Sequence, residues 1–147
     1  MATVKGVNRT LADVTGVDHT LDPGLFTGAV KQMVDTYEAS SLAQASIIEM
    51  GGEIPTGARV LSGTLFFDAL GGSVTLDVGD LEDVNRYIAA VDVSSAGSKF
   101  PALADGVEYK VDVTTASTPD NQIVITVGGS GTATGTIKLV VLYVDAT

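Results

Sequence analysis

From Leu25 onward, short apolar runs are cut at close intervals by turn-forming residues. Gly51-Gly52, Pro55 with Gly57, Gly71-Gly72, Gly79-Asp80, Asp105-Gly106, Asp120-Asn121 and the glycines from 128 to 131 supply the breaks. Segments of that length suit strands, and several in succession point to a sandwich or a barrel. Strand side chains alternate between two faces, so the runs can be checked residue by residue. Residues 107–114 alternate most cleanly, with Val107, Tyr109, Val111 and Val113 opposing Glu108, Lys110, Asp112 and Thr114. Residues 73–79 place Val74, Leu76 and Val78 on one face, and residues 122–127 do the same with Ile123, Ile125 and Val127. Residues 136–144 are apolar on both faces, which predicts a central or interface strand. Residues 59–67 set Leu61, Leu65 and Phe67 against Val60 and Phe66.

Two stretches carry both periods. Phe26, Val30, Met33, Val34 and Tyr37 fit a helical stripe, yet residues 29–37 also read as a strand. Leu81, Val84, Tyr87, Ile88 and Val91 fit another stripe, or else a loop followed by a strand over 86–93. The β-rich surroundings favour the strand in both cases. The expected fold is therefore all-β: an antiparallel β-sandwich, jelly-roll-like, with an extended N-terminal arm. The arm takes residues 1–24, closes on Asp22-Pro23-Gly24, and has apolar residues too scattered for a persistent pattern. Lying along a neighbouring subunit is one use for such an arm. Residues 25–147 form one β-sandwich domain, because neither a repeat nor a break in composition divides them.

Composition narrows the function. An apolar fraction of 45% and a mean hydropathy of +0.33 are high for a small monomer, so part of the apolar set is expected against other chains. Eighteen acidic residues against eight basic ones give a formal charge of −10, which repels phosphate and argues against direct nucleic-acid binding. The apolar stretch near residues 137–144 is too short to span a bilayer, and residues 1–10 lack a signal-peptide core. The expectation is a soluble product of a cytoplasm, with no membrane partner. Asn8-Arg9-Thr10 is a glycosylation sequon without a secretory context.

No residue set for catalysis, a cofactor or a metal emerges. The chain has no cysteine and one histidine, His19, inside the arm and outside any expected core. A nucleophile needs a base beside it, and neither a G-x-S-x-G elbow nor an S-x-x-K motif occurs. Residues 129–135 imitate a phosphate loop, but their glycine spacing is wrong and they join two expected strands as a hairpin. Asp77, Asp80, Glu82 and Asp83 are the densest carboxylates, without the spacing of an EF-hand.

A resemblance adds to this reading. Asp22-Pro-Gly-Leu-Phe26, Asp35-Thr-Tyr-Glu-Ala-Ser40, Ile48-Glu-Met-Gly51 and Ile54-Pro-Thr-Gly-Ala-Arg-Val60 carry its first half. Phe67-Asp-Ala-Leu-Gly71, Thr75-Leu-Asp-Val-Gly-Asp80, Arg86-Tyr-Ile-Ala-Ala-Val-Asp-Val93 and Thr136-Ile-Lys-Leu-Val-Val-Leu-Tyr143 carry the rest. The chain resembles small virion structural proteins of tailed bacteriophages, of the head decoration or cement type. The resemblance implies a β-sandwich or jelly roll, no enzyme activity and no cofactor. It also implies self-association as a homo-oligomer, a trimer, and contact with the major capsid protein or other virion proteins on the capsid exterior. A neck, tail or fibre component with the same fold is the alternative, as is a module binding carbohydrate or a host surface.

Overall fold

A computed structural model describes residues 28–102, 105–106, 108–114 and 120–145. The arm expected at residues 1–24, with His19 and the sequon, lies outside the described residues. Eight strands follow in order: β1 (Val30–Leu42), β2 (Ile47–Glu49), β3 (Arg59–Phe67), β4 (Val74–Asp80), β5 (Ile88–Asp92), β6 (Gly97–Lys99), β7 (Ile123–Gly129) and β8 (Ala133–Val144). They form two four-stranded sheets, one ordered β1-β8-β3-β6 (sheet A) and the other β2-β7-β4-β5 (sheet B).

The pairing has a simple logic. β1 pairs with β8, β2 with β7, β3 with β6 and β4 with β5, all antiparallel. That is one long hairpin, with its tip between β4 and β5, rolled up on itself. The roll is closed by β3 on β8 and β4 on β7. The result is the two-sheet jelly roll, so the expected fold class is met.

Four strands expected from alternation are present, and the inward residues that alternation assigns to β4 and β7 are buried. Val74, Leu76 and Val78 face Ile123, Ile125 and Val127 in sheet B, while Leu65, Ile137, Leu139 and Val141 line sheet A. β8 is central, between β1 and β3, which explains why both of its faces are apolar. In β3 the register shifts between Val60 and Ser62. This bulge lets Val60 and Leu65 both point inward although they are five positions apart, a parity that strict alternation forbids. The strand readings prevail at both ambiguous stretches. β1 pairs with β8 from Val30 to Ala39 without interruption, and β5 follows a helix-free loop over 81–87.

Two expectations are corrected. Residues 107–114 do not form a strand over their described part. Lys110 makes a single bridge to Arg59, and Glu108 takes a positive φ of 69°. The chain turns there, with Tyr109 N–H donating to Gly106 O at 3.0 Å, and Asp112 Oδ1 then accepts from Thr114 N–H. Only Tyr109, half-buried, and Val111, buried, keep the alternation, and Val113 is exposed. Residues 129–135 are also not a hairpin. β7 belongs to sheet B and β8 to sheet A, so this link crosses between the sheets. Gly129 makes that crossing possible, with φ at +82° and no room for a β-carbon, which would run into the Ser73 carbonyl oxygen.

Candidate functional site

The connection from β4 to β5 holds the densest polar network. Asp80 ends β4 and is fully buried. Its Oδ2 accepts from Arg86 Nε at 2.6 Å, and its Oδ1 accepts from the backbone N–H groups of Glu82 and Asp83 at 3.0 and 2.8 Å. Arg86 Nη2 also reaches Glu82 Oε2 at 3.1 Å. The guanidinium stacks 3.8 Å from the centre of the Tyr109 ring, and Tyr109 donates its hydroxyl proton to Asp120 Oδ2 at 2.7 Å. Burial alone would lower the Arg86 pKa, but the hydrogen bond and charge of Asp80 outweigh it and hold the guanidinium firmly charged. Burial, with the bond to Asp120, raises the Tyr109 pKa.

This network ties loops together. Asp120 also accepts from Asp112 N–H at 2.9 Å, so Arg86 and Asp120 clamp the irregular 105–114 segment onto the sandwich. Asp80 has its oxygens turned inward on its own chain, and Asp77 Oδ1 accepts from Ala90 N–H at 2.7 Å. The carboxylates that the sequence clusters at 77–83 therefore do not converge on an open space. No group of three or more His, Cys, Asp or Glu among the described residues is placed to hold a metal. Sequence reasoning missed Arg86, Tyr109 and Asp120 as a unit, because their spacing of 23 and 11 positions matches no periodicity.

Among the described residues the space between the two sheets is small. The cavity between the sheets measures about 20 Å³ and is lined by Val60, Val78, Tyr87, Ile88, Ile123, Leu139 and their neighbours. That is room for one water, far below the several hundred Å³ of a ligand site.

What distinguishes this molecule is its outer surface. The register places Gln32, Val34, Thr36, Glu38, Ser62, Thr64, Phe66, Thr136, Lys138, Val140 and Leu142 on the outer face of sheet A. Among the described strand positions only Glu38, Lys138 and Arg59, which pairs with Val144, are charged there, and Glu38 Oε2 accepts from the Thr136 hydroxyl at 2.7 Å. The outer face of sheet B carries Glu49, Asp77 and Asp92 with no basic residue among the strand positions paired there. The two faces are thus chemically unlike, one nearly neutral and one acidic.

No family model matches the chain, and no curated protein matches it. Solved structures do. A chain of the cyanophage Pam1 capsid asymmetric unit superposes with a TM-score of 0.67 at 23% identity, covering 98% of this chain and 99% of that one. The fold is one that phage capsids contain. A chain of the capsid of Ralstonia phage GP4 superposes with a TM-score of 0.60 at 23% identity, covering 82% of this chain and 86% of that one. At such identities the likeness establishes the shared jelly roll, over nearly the whole length in the first case.

Proposed function

We propose that this protein is a bacteriophage virion structural protein that decorates the capsid exterior and cements the head, without enzyme activity. The observation that carries the reading is the near end-to-end match to a chain of a phage capsid. A core with room for a single water, and buried polar groups spent on clamping loops, support a molecule that works through its surface.

The unlike faces suggest how it sits. Burying sheet A's outer face against the lattice desolvates one carboxylate and two cations, whereas burying sheet B's face desolvates three carboxylates with no basic residue at the described strand positions beside them. Sheet A therefore faces the major capsid protein and sheet B faces solvent, where its acidity keeps particles apart. Repetition of the lattice amplifies each weak contact. Self-association adds to this: trimers suit three-fold positions of an icosahedral shell and dimers suit two-fold ones.

Quantitative mass spectrometry of purified virions tests the reading. A decoration protein is present in hundreds of copies per particle, on the order set by the capsid lattice. A dozen copies or fewer assigns the chain to the neck, tail or fibre instead, and no copies removes it from the virion.

A further inference from the structure

Strand β1 is the anomaly of this fold. It runs 13 residues along the edge of sheet A, whereas the other edge strands, β2, β5 and β6, have three, five and three. Among the described residues nothing pairs with its free side. Val30 is 60% exposed and Val34 48% exposed, and Ile47 on the adjacent edge of sheet B is 52% exposed. β2 is too short to cover the inner side of β1, so Met33 rests on Gly51 and is only partly buried. A long, proline-free edge with exposed valines is a template for another strand.

We propose that this edge pairs with the same edge of a second copy, joining two A sheets into one eight-stranded sheet about a two-fold axis. Such an axis stands normal to the sheet, so each residue faces one of its own parity across the junction. The charges choose the register. Centred on Asp35, the junction would set two carboxylates face to face. Centred on Val34, it would place Lys31 opposite Tyr37 with no ion pair. Centred on Met33, it sets Lys31 opposite the partner's Asp35 and Asp35 opposite the partner's Lys31. Directly opposed opposite charges stabilise a strand pair, and like charges destabilise it. Lys31 already points its ammonium at Asp145 (3.0 Å) and stays half exposed, so it has donors to spare. Asp35, which accepts from the Gly51 and Thr36 N–H groups at 2.7 and 2.8 Å, keeps lone pairs for a further donor. The charges that would guard an edge in a monomer here become self-complementary. The axis also places the two neutral outer faces on one side, as a doubled surface. The inference stands apart from the virion reading and is tested on the purified chain alone.

The register makes a sharp test, because the full chain has no cysteine. Met33 lies opposite its own copy, and paired strand α-carbons sit about 4.5–5.5 Å apart, within disulfide range. Met33→Cys should give a covalent dimer under mild oxidation, and Val34→Cys, facing the partner's Gln32, should not. In sedimentation or light scattering, the unmodified chain should be a dimer. Lys31→Glu should weaken it roughly tenfold by opposing like charges twice. Adding Asp35→Lys to that variant should restore association. A native monomer overturns the proposal, as does a trimer or dimer indifferent to Lys31→Glu, or equal cross-linking from positions 33 and 34. If dimers form only after residues 1–24 are deleted, the arm owns this edge and the proposal fails.

Discussion

At the scale of single residues, the decisive interactions join side chains far apart in the chain. Arg86 neutralises a carboxylate that has no contact with solvent. Arg86→Met leaves Asp80 buried and uncompensated, and it should cost about 3–5 kcal/mol in a urea titration. Pairing it with Asp80→Asn should recover much of that loss, since the cost lies in the orphaned charge. Tyr87 presents the opposite case. Its hydroxyl is buried with no hydrogen-bond partner among the described residues. Tyr87→Phe should therefore be neutral or stabilising by about 1 kcal/mol. Burial also raises the Tyr87 pKa above its ordinary 10.0. The unfolded chain then loses this proton before the folded one does. Its contribution is intact below about pH 10 and declines as the pH climbs beyond that value. In Tyr87→Phe the alkaline decline in melting temperature should be shallower. None of this was legible in the sequence. Burial of Asp80 and its meeting with Arg86 depend on how the loop over 81–87 folds back, and hydrophobic patterning says nothing of loops.

Elements were legible wherever one face meets the core and the other does not. The inward sets of β4 and β7 follow directly from alternation, because a sheet buried on one face fixes parity. β3 shows the limit. Its bulge resets the parity after Val60, so the sequence groups Leu61 with Leu65 while the structure buries Val60 with Leu65. Residues 107–114 show the converse, since clean alternation lacked a strand to pair with beyond one bridge to Arg59. β1 and β5 hid a strand under a helical stripe, and their partners β8 and β4 decided the outcome. The link between β7 and β8 offers an element-scale test. An alanine at Gly129 combines an unfavourable positive φ with a methyl group driven into the Ser73 carbonyl. Gly129→Ala should cost about 2 kcal/mol or more, read as a lower denaturation midpoint with an unchanged slope.

The described residues form a jelly roll with one acidic and one nearly neutral face, and a long edge strand, β1, that no described strand covers. Fold class was readable because turn residues and short runs recur along the chain. The pairing order was not, since it depends on which ends of the rolled hairpin meet. The surface chemistry became readable only once register assigned side chains to faces. A net charge of −10 disfavours contact between acidic surfaces, so association falls where acidic charge is sparse or directly paired. That asymmetry is the core of the proposed role. A cryo-electron reconstruction of the parent phage head tests it most directly. The account predicts this jelly roll on the outer surface of the shell, sheet A against the major capsid protein and sheet B towards solvent. A head bare of it, or copies seated on sheet B with the neutral face exposed, would contradict the account.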